Sequence, residues 1–478
     1  MRGRLVALAL LWASTLWSAP EPPPPVVVAE LEVYRQEFDW LIPWNRKPVE
    51  SETGRAWQVR SGWWMTTADL VGNASLVQLK IPRHSGALQA QVRLLNDSAN
   101  LALLQTEPPD NNTSPVTWGE ARPGTAEALV IGHQGPELQE VKLERLILGL
   151  RERTETWVPV YVGSLGQEPP PSGTPLFQGK ALVGMLVHRG SGTPHLLPAQ
   201  LLQRLINLSG EESASLLPQR GFDWRPLPHP SVGEYLGLPP GLQGVWIPQV
   251  WESGTGSEAL RPQDVLTHLN GWGVDDEGQI QHPLWGRVPL DVMLILEFHS
   301  GDPLTFQGYR DGKPFMVSTR VSIRQAEQHI PRQTYNVPPR YVIRGGLLFQ
   351  ELSRDYLQIW GKRWAEHAPI RLRLFPLLDE ARPGNPDQRI VLLSQVLPDA
   401  VNIGYEDLEH EIVAAVNGTP VHRLEDLVEA MRQPPGAFHQ IEFMTGASRH
   451  MVVLPVSELP EAHRRLQSNY QIPELENL

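Results

Sequence analysis

Trp157-Val158-Pro159-Val160-Tyr161-Val162 sets β-branched and aromatic side chains next to one another, the composition of a short pleated strand. Ala56-Trp57-Gln58-Val59-Arg60 has the same character, and such segments recur from residue 31 to about residue 205 with Gly, Pro, Asn and Asp between them. That rhythm predicts an all-β domain of barrel or sandwich type. Within it only residues 198–206 read as a helix. The whole chain holds 46 Pro and 40 Gly in 478 residues, well above the roughly 12% that the two make up in ordinary chains. Many short elements are therefore favoured over long helices. Hydrophobic residues make up 41% and charged residues 20%, enough apolar material for about three cores on a 100–200-residue prior. Wholesale disorder, collagen and coiled coil are excluded.

Charge and cysteine usage narrow the partners. A formal charge of -12 repels phosphate backbones and anionic membrane surfaces, so nucleic acid is not expected as a partner. With no cysteine, disulfides, thiol catalysis, iron–sulfur clusters and thiolate zinc are all ruled out. Arg2 and Arg4 precede an apolar run over residues 5–17 and then Ser18-Ala19, the layout of a secretory signal peptide. The run is too short to span roughly 30 Å of hydrocarbon, and no later segment reaches 18 apolar residues, so no membrane span is expected. Export to a periplasmic or extracellular space is the expectation, with a stiff Pro-rich spacer behind the cleavage site.

Residues 209–219 read as a polar linker. A second unit begins near Gly221, with strand material around Val245-Trp246-Ile247, a buried turn expected at Asp264-Val265-Leu266, and an Arg310-Asp311-Gly312-Lys313 hairpin whose Asp-Gly step suits a tight turn. A third begins near Tyr341. Its strand Ile390-Val391-Leu392-Leu393 is followed by Val413-Ala414-Ala415-Val416-Asn417-Gly418, then by a helix whose Leu424, Leu427, Val428 and Met431 share one face. The two units share a strand, Asn-Gly, helix order and read as diverged copies of one α/β module.

Three segments carry a family resemblance: Met65-Thr66-Thr67-Ala68-Asp69-Leu70-Val71, Asp97-Ser98-Ala99-Asn100-Leu101-Ala102-Leu103-Leu104, and Pro171-Ser172-Gly173-Thr174-Pro175-Leu176. In this order, and followed by two such modules, they resemble the trypsin-like serine proteases of the HtrA (Do-like, Deg) family. The resemblance implies a multidomain, mainly β protein, a trypsin-like double β-barrel followed by two α/β PDZ modules. Its expected parts are a signal peptide (1–19), a spacer (20–30), the protease-like domain (31–208), a linker (209–220), a first PDZ domain (221–325), a divergent second PDZ domain (338–460) and a tail (461–478). Active members hold a catalytic His, an orienting Asp and a nucleophilic Ser in the three segments; here those positions hold Asp69, Asn100 and Ser172.

The chemistry of that set argues against proteolysis. A serine hydroxyl needs a base poised near neutral pH, and a carboxylate titrating near 3.9 is far weaker than an imidazole near 6.5. Asn100 cannot stabilise an imidazolium by charge. The family draws an oxyanion donor from the residue two before the serine, which is Pro170 here and has no N–H. His84 and His133 are the nearest alternative bases, and neither lies in a segment like the family's His motif. The expectation is an inactive homologue; the alternatives are an active serine endopeptidase with rearranged catalytic residues, or a regulatory subunit of an active paralogue.

Glu234-Tyr235-Leu236-Gly237-Leu238 resembles the carboxylate-binding loop of the family's PDZ domains, which implies peptide binding at Tyr235, Leu236, Gly237 and Leu238. Gly345-Gly346-Leu347-Leu348-Phe349, Ser394-Gln395-Val396-Leu397, Asn402-Ile403-Gly404-Tyr405-Glu406 and Asn417-Gly418-Thr419 resemble the second PDZ of organellar Deg proteases, with Gly345, Gly346, Leu347 and Leu348 as its loop. Partners implied are protein C-termini or unfolded polypeptides. The resemblance also implies a homo-oligomer, a trimer built through aromatic residues 34–44, or a hetero-oligomer with an active paralogue. The 15 His show no metal-binding spacing, and neither metal nor cofactor is expected.

Overall fold

The structure, a computed structural model, describes residues 26–478 except 108–115, 133–134, 152–155, 167, 188–193, 208–216, 228, 324–329, 362, 382–387 and 445–450. The leader, most of the spacer, His133 and most of the expected linker lie outside the described residues. Among these residues the chain forms two closed six-stranded barrels followed by two α/β modules.

The first barrel comprises β1 (Val28–Arg35), β2 (Glu50–Arg60), β3 (Trp63–Thr66), the one-turn helix α1 (Ala68–Val71), β4 (Ala74–Lys80), β5 (Leu88–Asn96) and β6 (Leu101–Gln105), closed in the order β1-β2-β3-β6-β5-β4. The second uses β7 (Gly124–Gly132), β8 (Gly135–Arg151), β9 (Thr156–Ser164), β10 (Pro175–Gln178), β11 (Ala181–Val187) and β12 (His195–Pro198), closed by β10 on β7 and followed by α2 (Ala199–Asn207). Alternation along β1 and β4 puts Leu31, Val33, Val77 and Leu79 inside the first barrel. Trp57, on the other face of β2, is fully buried between the barrels and donates its indole N–H to Met185 Sδ at 3.4 Å.

The third unit of structure holds β13 (Arg225–Pro226), α3 (Pro230–Tyr235), β14 (Val245–Trp246), β15 (Val265–Leu269), β16 (Trp272–Gly273), β17 (Gln279–His282), β18 (Gly286–Pro289), α4 (Leu290–Glu297), β19 (Pro303–Arg310) and β20 (Lys313–Arg320). Asp264-Val265-Leu266 differs from the buried turn expected: Val265 opens a central strand, and Asp264, fully buried, takes both prongs of the Arg310 guanidinium at 2.8 and 2.7 Å. The Arg310–Lys313 hairpin forms, with Asp311 at φ 49° and Gly312 at φ 71° as a two-residue turn. Helix α4 is apolar from Leu290 to Leu296 except at Asp291, which pairs with Arg220 at 2.7 Å, and those apolar residues are buried. It lies against β8 and β9, so this module and the second barrel share one continuous core. Arg204 of α2 caps the carboxyl end of α4, donating to the carbonyls of Leu296 and Phe298 at 3.0 and 2.8 Å, and burial pulls its guanidinium down to about 10.

The last module runs β21 (Tyr341–Arg344), β22 (Leu347–Glu351), α5 (Arg354–Leu357), α6 (Trp364–His367), α7 (Ile370–Ala381), β23 (Val391–Val396), β24 (Glu411–Val416), β25 (Thr419–Pro420), α8 (Leu424–Arg432), β26 (Phe438–Phe443), β27 (Met451–Pro455), α9 (Leu459–Tyr470) and β28 (Glu476–Asn477). Its sheet is ordered β27-β26-β24-β23-β22-β21-β28. Residues 461–478, expected as a tail, instead supply most of α9 and the sheet's last strand, with Ala462 and Leu466 fully buried, because an apolar stripe at helical spacing closes the core. In the aromatic stretch 34–44, Leu41 and Ile42 are exposed, while its end contacts the last module. Trp44 packs against Tyr341, with ring centroids 6.0 Å apart, and Leu41 O accepts from Gln395 Nε2 at 2.7 Å.

Candidate functional site

The Asp69, Asn100 and Ser172 segments converge at the seam between the barrels, and the β2 backbone is what joins them. Arg55 donates its N–H to Ser172 O at 2.9 Å, while Arg55 O accepts from Thr66 Oγ1 at 2.8 Å, at the end of the strand that leads into α1. Two glycines permit the approach. A Cβ on Gly54 would lie 2.4 Å from Leu70 Cδ1 and 3.2 Å from Ser172 O; one on Gly173, at φ 89°, would lie 1.9 Å from Arg55 O. Gly173 donates to Leu186 O at 2.9 Å and Thr174 Oγ1 to Pro171 O at 2.7 Å, tying the proline-rich loop to β11.

Asp69 and Asn100 are paired with each other. Asp69 N–H donates to Asn100 Oδ1 and Asn100 Nδ2 donates to Asp69 Oδ2, both at 3.0 Å. Asn100 reaches both because its backbone is left-handed at φ 57°, in a turn where Ala99 N–H donates to Asn96 Oδ1 at 2.7 Å and Arg151 reaches across from β8 to Asp97 at 2.7 Å. Asp69 Oδ1 and Thr67 Oγ1 are buried and find no partner among the described residues. The Arg55 guanidinium, on β2, is held below its usual value by burial, which Glu30 partly offsets. His84 sits in the β4–β5 connection, its N–H on Ile81 O at 3.1 Å.

The two expected peptide loops are both corrected by the geometry. Glu234 and Tyr235 end helix α3, and Leu236, Gly237 and Leu238 form its cap. Gly237 N–H donates to Glu234 O at 3.1 Å and Leu238 N–H to Gly233 O at 2.9 Å, so these donors close a helix and do not converge on a free carboxylate. Tyr235 is 81% exposed. In the last module Gly345 and Gly346 (φ 58° and 84°) are a two-residue hairpin turn between β21 and β22. Gly345 N–H donates to His463 Nε2 at 3.1 Å, Asn402 Nδ2 donates to Gly345 O at 2.8 Å, and Leu397 N–H to Gly346 O at 2.7 Å. Leu347 and Leu348 are fully buried core residues. That turn is filled by the module's own side chains.

Comparison with known proteins then supplies a lineage. The PDZ domain family matches residues 330–476. Protease Do-like 2, chloroplastic, from Arabidopsis thaliana is 24% identical over 457 residues, covering 91% of this chain and 72% of its own. Putative protease Do-like 13 from the same plant is 22% identical over 427 residues, covering 85% and 80%. Among solved structures, HtrA-type protease AlgW with tripeptide is 17% identical with a TM-score of 0.45, covering 62% of this chain and 93% of its own. The chain is thus similar to HtrA/Do-like proteases over most of its length and carries a PDZ domain.

In this HtrA homologue the polar atoms at the seam can position backbone and hold a turn; the pairing of Asp69 with Asn100 occupies the carboxylate oxygen that faces the β5–β6 turn. Among the described residues no group of three or more His, Asp or Glu converges as a metal site, and no helix is long and apolar enough to cross a membrane. The residues that sequence reasoning missed are those that join distant segments: Arg55, Arg204, His463 and Asn402. Arg55 acts through its peptide group, which leaves no mark on residue type, whereas Asn402 lay in a quoted motif without its bonds to Gly345 and Leu397 being foreseeable.

Proposed function

We propose that this HtrA/Do-like homologue is an exported pseudoprotease that acts by binding, as a scaffold, adaptor or chaperone-like factor for partner polypeptides. The observation that carries the reading is the mutual hydrogen-bonded pair of Asp69 and Asn100 at the positions where the family resemblance puts the base and its orienting acid. A carboxylate is a far weaker base than an imidazole, so a carboxylate answering to an amide is poorly suited to take the serine proton at neutral pH. Pro170 adds an independent defect by removing an oxyanion donor, a loss on the order of 3 kcal/mol in barrier where such donors have been deleted. The named relatives are proteases, so the proposal assigns the change to this chain's own residues. Fluorophosphonate treatment of the full chain at pH 7.5 is expected to leave Ser172 unlabelled by mass spectrometry. Covalent labelling at Ser172 would overturn the reading in favour of a peptidase with rearranged catalysis.

A further inference from the structure

The sheet of the first α/β module runs β13-β14-β15-β19-β20, so β20 is paired on one side only, with β19. The hairpin fixes which of its backbone groups are left over. The two-residue turn at Asp311-Gly312 makes Arg310 and Lys313 a hydrogen-bonded pair, and the register runs without a bulge to Pro303 opposite Arg320. Alternation then turns the N–H and C=O groups of Lys313, Phe315, Val317 and Thr319 towards β19, and those of Pro314, Met316, Ser318 and Arg320 away from it. Val321 N–H, which donates to Asp302 O at 2.9 Å, keeps the same alternation one residue further on. Among the described residues nothing pairs with the outward backbone groups of Met316 and Ser318. The same parity sets the side chains: Phe315 and Val317 pack on the core, while Pro314, Met316, Ser318 and Arg320 are exposed, Met316 to 67%. Lys313 and Pro314 blunt the hairpin end of this edge, but from Met316 to Ser318 it carries neither a charge nor a proline.

Charge decides between occupants. Residues 313–320 hold two cations and no carboxylate, in a chain whose formal charge is -12. Neither cation forms an ion pair among the described residues; Arg320 Nη1 donates instead to Gly301 O at 2.7 Å. A second copy laid on this edge would bring the same two cations and no counter-charge, whereas an acidic segment supplies one. We propose that the open edge of β20 docks an extended segment of a partner protein, with an apolar residue opposite Met316 and a carboxylate four residues away opposite Arg320. Met316 and Arg320 share a face two pleat periods apart, which sets that spacing. Main-chain bonds to Met316 and Ser318 supply affinity, and the two side chains set the register. The edge uses none of the donors at Gly237 and Leu238, which close α3. The proposal rests on the binding function put forward above for its biological use. Labelling of Ser172 would remove that reading and leave this one standing, because β20 is not part of the seam.

The probe is a fluorescein-labelled peptide, Glu-Thr-Thr-Thr-Leu-Thr-Thr-Thr-Glu, which reads alike in both strand directions, titrated with the full chain and followed by anisotropy. Saturable binding is expected, and a probe with Lys in place of both Glu is expected to bind about fivefold more weakly. Arg320→Glu is expected to reverse that preference. Ser318→Pro removes an outward N–H that the β19 ladder does not use, and is expected to abolish binding of both probes while circular dichroism stays that of the unmodified chain. The preference reversal in Arg320→Glu decides the matter even where Ser318→Pro fails to fold. No saturable binding up to about 1 mM, equal affinity for the two probes, or unchanged binding by a folded Ser318→Pro chain would overturn the proposal. A dimer of the unmodified chain that Ser318→Pro dissociates, read by light scattering, would assign the edge to a second copy and also overturn it.

Discussion

Asn100 uses both ends of its amide on one neighbour while holding a backbone angle that most side chains avoid. Replacing it by Ala removes an acceptor for Asp69 N–H, removes a donor to the carboxylate, and strains the φ 57° turn. Asn100→Ala is therefore expected to cost about 2–4 kcal/mol in urea unfolding, with Asn100→Gly, which tolerates the backbone, recovering only about 1 kcal/mol of it. Equal stability of the two variants would mean that the backbone angle counts for nothing. A loss below 0.5 kcal/mol in both would mean that the pair is not formed. The residue types at positions 69, 100, 170 and 172 were legible in the sequence because chemistry distinguishes them. Their pairing was not, since nothing in two segments about thirty residues apart says that a carboxylate will face an amide rather than a third group.

Elements with a clear period could be read from the sequence, and those without one could not. Helix α8 shows Leu424, Leu427, Val428 and Met431 on one face and forms where that face predicts. Helix α4 runs apolar from Val292 to Leu296 without a break, so no period marks it, and its burial against the second barrel explains the composition. The Gly345-Gly346 turn resembled an open loop because glycine pairs serve tight hairpins and ligand loops alike. His463 from α9 decides between them by accepting the Gly345 N–H, which requires a neutral ring. Burial, the larger cause, and Arg344 hold His463 below the usual imidazole range, and burial likewise depresses His282, His410 and His439. A depressed imidazole resists protonation in the folded state alone, so its stabilisation is full above about pH 6.5 and drains as pH falls below that value. Urea midpoints are expected to drop between pH 7.5 and pH 5.5, and His463→Gln should flatten part of that drop. A midpoint that is constant over this range, or that rises towards pH 5.5, contradicts the assignment.

At the scale of the whole molecule, two of the places where the modules are fastened are ones that no local pattern announces. Helix α4 and Arg204 fix the first α/β module to the second barrel. The last module is fastened to the first barrel by an exchange of amides: Asn73 N–H donates to Asn336 Oδ1 at 3.1 Å and Asn336 N–H to Asn73 Oδ1 at 2.6 Å. The Tyr335 ring fills the space beside Gly72, where a Cβ would lie 2.1 Å from it. Gly72→Ala is expected to unseat this clasp, raising amide exchange at Asn73 and Asn336 by at least about tenfold while the core of the last module stays protected. Unchanged exchange at both residues would show that the clasp does not hold the modules. Gly72 caps α1, the helix that carries Asp69, so the clasp sits one turn away from the seam. Reciprocity follows from that placement. Any ligand whose affinity depends on whether Tyr335 and Asn336 are seated must alter the poise of α1, and a change imposed on α1 must return the same free energy to that ligand, although the two never touch.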